Sequence, residues 1–139
     1  MIYADVPGGR ELLAWFGEMP KFHDAEVLSL SLSRTGASEL KIHSWAAESG
    51  DEQNGYKHAI VTFSLEGIMD LQLDGFSDQN VIAGLIVQRA TDRGRSNYYA
   101  MEEDIKDIEI ELLPCYGLDG FIRAKKLAIS IVPGQPDGA

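Results

Sequence analysis

The chain has 139 residues, a single cysteine and a formal net charge of −10, from 12 lysines and arginines against 22 aspartates and glutamates. A chain of this length fits one domain and forms a core without disulfides or structural metals. One cysteine excludes an internal disulfide and a multi-cysteine zinc site. The excess of negative charge argues against direct binding to nucleic acid or to an anionic membrane surface, because such binding uses cationic side chains.

The same features set expectations for location and boundaries. No apolar stretch approaches the roughly 20 residues of a membrane span, and the N-terminus lacks the basic and apolar regions of a signal peptide. The expected location is the cytoplasm. We expect one domain over residues 1–139 with a mobile tail over about 133–139, which is rich in proline and glycine. The negative charge suits either a basic protein partner or solubility alone.

The first predicted element is a helix over residues 10–17. Leu12, Trp15 and Phe16 recur at i, i+3 and i+4, which places them on one apolar stripe. Gly17 is a typical helix stop, and Pro20 opposes continuation.

About seven strands follow, and short polar turns between them favour antiparallel neighbours. In the first strand Leu28, Leu30 and Leu32 alternate with serines, which predicts a half-buried strand. The apolar run Val81–Val87 predicts a central strand. The fold class is therefore α+β, mainly an antiparallel sheet of about seven strands with one N-terminal helix packed on it. The pattern leaves open whether the sheet is open or closes into a sandwich. The strands are predicted near residues 28–33, 40–43, 57–66, 70–74, 81–87, 107–112 and 127–131.

His23, Asp24 and Glu26 form the first candidate site. A His-Asp pair with a nearby carboxylate is able to hold a metal or to run acid–base chemistry. A metal site needs further converging ligands, and the sequence does not show that His43 or His58 reaches this place. The favoured interpretation is that these residues organise the start of a strand or contact a partner.

Two further features have simpler interpretations. Asp70, Asp74 and Asp78 lack the spacing of a calcium-binding loop, so a solvated strand face is preferred to a cation or acid–base site. Cys115 follows a proline and is expected to be a small core residue, since nothing in its neighbourhood activates a thiolate.

The strongest charge feature is the segment of residues 102–111, with six carboxylates and one lysine. If a strand begins near Ile105, then Asp107, Glu109 and Glu111 form an acidic row opposite Ile108 and Ile110. Such a row repels itself and is not expected to be buried without cations. It therefore predicts either contact with a basic partner or an edge strand protected from aggregation by charge.

Aromatic side chains lie close to these polar segments. Tyr98 and Tyr99 precede the acidic segment, and Trp45 lies near a polar loop. They are candidate interface anchors if they are exposed, although aromatic residues in a β-rich domain are more often part of the core.

Three stretches together resemble a known family. They are Phe22–Val27 (FHDAEV), Asp70–Phe76 (DLQLDGF) followed by Gln79–Val81, and Tyr116–Gly120 (YGLDG) ahead of the last strand. Their order is similar to that of the immunity protein 50 family of bacterial polymorphic-toxin systems, over about residues 15–132. The resemblance implies a small intracellular protein that binds and neutralises a toxin made by the same cell. It implies no catalytic residues.

The leading hypothesis is thus a toxin-neutralising protein that acts by stoichiometric binding, through an acidic face formed by Asp107, Glu109 and Glu111. It is predicted to be no enzyme and to need no cofactor or metal. Its partner is predicted to be a protein toxin with basic character, and neither nucleic acid nor a membrane. Two alternatives remain: a small-ligand-binding or housekeeping domain, and a metal-dependent enzyme centred on His23, Asp24 and Glu26.

Overall fold

The computed structural model describes residues 1–48, 52–95 and 99–137. Within them, six antiparallel strands follow a short 3-10 helix, Ile2–Asp5, and one α-helix, α1, Gly9–Phe16. A second short 3-10 helix, Glu52–Asn54, precedes the third strand. The prediction of a mainly antiparallel sheet with one N-terminal helix is confirmed. The strands are β1 Glu26–Ser31, β2 Ser38–Ala47, β3 Tyr56–Asp74, β4 Val81–Arg89, β5 Ile108–Tyr116 and β6 Asp119–Pro133.

The strands form a closed barrel in the order β1-β2-β3-β6-β5-β4, so the sheet is neither open nor a sandwich. Every neighbouring pair is antiparallel, as predicted, including β4 and β5, which a long connection joins. The closure between β1 and β4 is narrow, because in the ladder Glu26 pairs with Val81 and the two strands then separate. Thus β4 has a full neighbour on one side only, unlike the central strand predicted for Val81–Val87.

The strand count is six because β3 continues through Gly67, where two strands were predicted. Gly67 has a φ of 66°, and a bulge follows between Ile68 and Asp70. Glycine and the bulge let a 19-residue strand bend around the barrel while it stays paired with β6. Gly67 therefore marks a bend within β3 and not the end of a strand.

The core fills the inside of the barrel. The predicted inward face of β3 is confirmed, since Ala59, Val61, Phe63 and Leu65 are all buried. Helix α1 contacts β6 and contributes the fully buried Leu12, while Phe16 packs against the core edge. The helix ends at Gly17, whose φ of 79° and N–H bond to the Leu13 carbonyl form the expected C-terminal cap.

The alternating leucines of β1 are not all in the core. A bulge between Val27 and Ser29 shifts the register, so that Val27 is buried and Leu30 is partly buried. Leu28 is 37% exposed, and Leu32 lies beyond the strand and is 58% exposed. The alternation of leucine with serine predicted that the three leucines lie on one buried face. The bulge shifts the register of the strand, so they do not.

Three smaller findings concern Cys115, membrane-spanning helices and the end of the chain. Cys115 is exposed, so the prediction of a core cysteine is wrong: it lies near the end of β5. No helix in the described ranges is long and apolar enough to cross a membrane. The structured chain continues to Pro133 in β6, and the Gly134 N–H donates to the His58 carbonyl. The expected mobility of the tail stays a prediction.

Candidate functional site

The stretch Phe22–Val27 is a tight turn, Phe22–Ala25, followed by the first two residues of β1, and it closes the barrel. Phe22 and Asp24 have φ values of 59° and 64°, a left-handed conformation that is rare for a bulky residue. Phe22 is nevertheless buried, with edge-to-face ring contacts to Phe16 and Phe63. The core contacts of its ring oppose the cost of its backbone conformation.

Backbone hydrogen bonds tie this turn to β4, where regular pairing with β1 is lacking. The Asp24 N–H donates to Ile82, the Ile82 N–H donates to Ala25, and the Leu85 N–H donates to Lys21, all at 3.0–3.2 Å. The turn thus completes the barrel through irregular bonds. This geometry explains why the stretch combines buried Phe22 and Ala25 with polar residues between them.

The structure does not gather His23, Asp24 and Glu26 into one site. The exposed His23 ring contacts the Ala83 carbonyl through Nδ1 at 3.0 Å and Asp24 through Nε2 at 3.4 Å. Glu26 instead pairs with His43 across β1 and β2. Among the residues that the structure describes, no three histidine, cysteine or acidic side chains are grouped so as to hold a metal ion.

His43 and His58 meet on the outer face of β2 and β3. His43 Nε2 lies 3.0 Å from His58 Nδ1, and the rings stack at 5.2 Å beside Trp45. Burial lowers the pKa of His43, the neighbouring His58 lowers it further, and the Glu26 carboxylate opposes both effects. Trp45 is half-buried in this group, so only part of its surface is accessible to a partner.

The acidic row of β5 lies on the outer face of the barrel, because it alternates with the core residues Ile108 and Ile110. Its interpretation as a charge-protected edge is wrong, since β5 lies between β4 and β6. Asp107 and Glu109 are 1% and 0% exposed, while the Glu111 side chain keeps 32%. The cations that cover them come from the β4–β5 connection, residues 90–107, which carries Arg93, and from β6, which carries Arg123 and Lys125.

Paired arginines neutralise these buried carboxylates. Arg93 donates from Nε and Nη2 to both oxygens of Glu109 at 2.7 and 2.9 Å, and lies 3.5 Å from Glu111. Arg123 donates to Asp107 at 2.8 Å, and Lys125 donates to its other oxygen at 2.9 Å. These bidentate and shared bonds fix the connection onto the barrel.

A third pair extends this group to β3. Arg95 donates from Nε and Nη2 to both oxygens of Asp70 at 2.5 and 2.9 Å, and Asp70 lies opposite Arg123 in the ladder. Asp70 is buried here, which contradicts the predicted solvated face, while Asp74 and Asp78 are exposed. We call the whole group the charge cluster: Asp70, Arg93, Arg95, Asp107, Glu109 and Arg123.

The electrostatics of the charge cluster favour ionised carboxylates. The bond from Arg95 is the main cause that lowers the pKa of Asp70. Burial raises the pKa of Asp107 and of Glu109, but the bonds from Arg123 and Arg93, with their other donors, outweigh it and lower both pKa values. The carboxylates therefore serve the fold as ion-pair acceptors.

Aromatic rings contact two arginines of the charge cluster, Arg93 and Arg123. The Arg93 guanidinium lies 4.2 Å from the Phe121 ring centre, and that of Arg123 lies 4.9 Å from the Tyr99 ring and 3.3 Å from its hydroxyl. Tyr99 is thus engaged within the chain. Tyr98 lies outside the described residues, so its role as an interface anchor stays a prediction.

Asn80 joins three distant parts of the chain at one end of the barrel. Its Oδ1 accepts from the backbone N–H groups of Ser77 and Leu118, both at 3.0 Å, and its Nδ2 donates to the Ser77 carbonyl. Its own carbonyl accepts from Val27 at 2.7 Å. The three stretches that carry the family resemblance therefore meet around this buried side chain.

An apolar groove of about 630 Å³ opens beside Asn80. One wall is β1, and the other is the turn that follows β3. Phe76 on that turn is 77% exposed, so a large ring stands in solvent at the groove rim. The lining residues are Val27, Leu28, Ser29, Leu30, Leu73, Asp74, Gly75, Phe76 and Leu118.

Sequence reasoning missed the groove and the arginine partners of the acidic row. The signal for the arginines was present, because an acidic row needs cations to be buried and Arg93 and Arg95 precede it in the chain. The groove had no such signal, since it depends on a bulge in β1 and on contacts between residues some 50 to 90 positions apart.

The family model for Immunity protein 50 matches residues 9–112. The match contains α1, the stretch Phe22–Val27, Asn80 and the acidic row, while Tyr116–Gly120 lies beyond it. No curated protein and no solved structure matches the chain.

Proposed function

The chain belongs to the immunity protein 50 family, and from this we propose that it neutralises a protein toxin by binding it stoichiometrically. The observation that carries the proposal is the family match over residues 9–112. Membership of an immunity protein family suggests a non-enzymatic role. In this role the chain acts in the cytoplasm of the toxin-producing cell and blocks the toxin's active site or substrate groove.

Charge supports a basic toxin as the partner. A net charge of −10 steers a positively charged protein towards the chain and raises its association rate. A basic toxin that acts on nucleic acid fits best, because an acidic surface imitates the charge of its substrate. The partner is thus defined by its positive surface.

The acidic face of this proposal needs accessible carboxylates. Asp107 and Glu109 are covered and paired with Arg123 and Arg93, and Glu111 is partly open. Just before β5, Glu102, Glu103 and Asp104 are exposed on the same connection. We therefore place the steering charge at residues 102–104, with Glu111 as its neighbour on β5.

Growth rescue tests the function directly. The protein encoded by the adjacent gene is expressed in a test bacterium with and without this chain, and the complex is isolated by affinity pull-down. We expect the neighbour to stop growth, this chain to restore it, and the two to co-purify at one to one. A toxic neighbour that is neither bound nor neutralised would contradict the proposal for this pair.

A further inference from the structure

Strand β1 has an unpaired edge. Its whole length pairs with β2, but towards β4 the bonded contacts are those of Glu26 with Val81 and of the Val27 N–H with the Asn80 carbonyl. Beyond this point, no strand in the described part of the chain pairs with that side of Leu28–Ser31. Backbone donors and acceptors on such an edge are a ready template for another strand.

The space along this edge is the apolar groove. Leu28, 37% exposed, stands at one rim and Phe76, 77% exposed, at the other. Soluble proteins usually cover or charge an exposed edge, yet here the edge carries leucines and serines. An extended peptide in this position would satisfy the backbone and place alternate side chains against the groove walls.

The far wall of the groove is held in place. Asn80 fixes the turn after β3 through both backbone groups of Ser77, and it fixes Leu118 through its N–H. Gly75 packs so closely on the Gly117 carbonyl that a side chain at Gly75 would displace it. A preformed wall lowers the cost of ordering the site when a partner binds.

The charge at the groove selects a basic occupant. Asp74 is the charged residue among the lining residues, and it lies directly opposite Asp119 in the β3–β6 ladder. Like charges in this position repel each other, and within the described ranges neither carboxylate forms an ion pair. A lysine or arginine of a partner placed between them would relieve this repulsion.

We propose that an extended segment of the toxin adds to the free edge of β1 at Leu28–Ser31, with apolar side chains in the groove and a lysine or arginine at Asp74 and Asp119. This inference rests on the proposed function and names the surface through which it acts. The segment is short, since four paired residues span about 13 Å. Backbone pairing supplies the geometry, and the groove and the two carboxylates supply the selectivity.

Hydrogen exchange measures the backbone pairing without any mutation. Amide exchange is recorded for the full chain, alone and bound to the adjacent-gene toxin inactivated in its active site. We expect the outward-facing amides of Leu28–Ser31 to exchange at least about tenfold more slowly in the complex. A stable complex that leaves these amides unchanged would overturn the strand addition and leave the proposed function intact.

Matched substitutions test the side chains of the groove. Phe76→Ser is expected to raise Kd at least about tenfold, whereas Val132→Ser, at a side chain that is 60% exposed and lies outside the groove, leaves Kd unchanged. The double variant Asp74→Asn with Asp119→Asn is expected to raise Kd more than the double variant Glu11→Gln with Glu18→Gln, which removes the same charge elsewhere. Equal changes in Kd within either comparison would overturn the placement of the toxin segment in the groove.

Other outcomes would show that something other than a toxin segment occupies the β1 edge and the groove. If the free chain forms a dimer that protects the same amides, its own copy occupies the edge and the proposal is wrong. A small molecule found in the groove of the purified chain by native mass spectrometry has the same consequence. If no complex forms with the toxin, the proposed function fails and this inference fails with it.

Discussion

At the scale of single residues, Glu109 and Glu111 lie two positions apart on one strand face but have different roles. The Glu109 side chain is fully buried and accepts two bonds from Arg93, while Glu111 is 32% exposed and lies 3.5 Å from the same arginine. Removing one partner of a buried ion pair leaves the other charge uncompensated. The two residues therefore form a matched pair for mutation.

We expect Glu109→Gln to lower the free energy of unfolding by about 2–3 kcal/mol, less than for a fully enclosed pair because Arg93 keeps some contact with solvent. Glu111→Gln should change it by less than about 1 kcal/mol. Urea denaturation of both variants measures the difference. Similar values for the two would contradict the burial-based account of the charge cluster.

Acid should weaken the fold through the same cluster. The folded-state pKa values of Asp70, Asp107 and Glu109 lie below their ordinary range, so each stabilises the fold above its unfolded pKa of about 4. That stability is lost as the pH falls from there through the folded values. Urea denaturation from about pH 6 to about pH 3 should show falling stability, with a shallower fall in Glu109→Gln. A parallel fall in both proteins would contradict this assignment.

At the scale of elements, glycines decide where strands approach each other. Gly120, the second residue of β6, has a φ of 133°, and a Cβ there would overlap the Gln72 carbonyl of β3. Gly134 has nearly the same φ, 130°, but open space around it. The two positions separate backbone strain from steric overlap.

Gly120→Ala is therefore expected to destabilise the fold by several kcal/mol more than Gly134→Ala, because only the first substitution also forces β3 and β6 apart. Thermal denaturation monitored by circular dichroism gives the comparison. Equal shifts in Tm would mean that the backbone conformation alone accounts for the loss.

The incomplete pairing between β1 and β4 is the feature at this scale on which the proposed toxin-binding edge depends. A barrel closes fully when each strand has two neighbours, and here the pairing of β1 with β4 is limited to Glu26 and Val81 and is supplemented by backbone bonds from the turn at Phe22–Ala25. The turn completes the structure near Glu26, and beyond it no described strand pairs with the β4 side of Leu28–Ser31, which stays paired with β2 on its other side. The same turn that closes the barrel thus creates the edge proposed for the toxin.

At the scale of the whole molecule, the net charge should govern how fast the partner arrives. We expect replacement of Glu102, Glu103 and Asp104 by their amides to slow association and to weaken its dependence on salt. The amides of Glu11, Glu18 and Glu48 change the net charge equally and serve as the control. Stopped-flow association over a series of salt concentrations measures both. Identical salt slopes for the two variants would contradict an acidic face at residues 102–104.

The sequence by itself determined the features that depend on local pattern. The helix with its Gly17 stop, the inward face of β3 and the antiparallel pairing all follow from periodicity and short turns. The family also followed from the sequence, and the family model that matches residues 9–112 confirms it. These features could be predicted because residues close together in the chain determine them.

The tertiary structure decided everything that depends on distant partners. Bulges in β1 and β3 changed which leucines are buried and how many strands there are, and alternation does not reveal such bulges. The burial of Asp107 and Glu109 depended on ion pairs with arginines that are distant in the chain. Arg93, on the β4–β5 connection, pairs with Glu109, and Arg123, on β6, pairs with Asp107. The groove formed for the same reason: its walls come from segments far apart in the chain, and only the closure of the barrel brings them together.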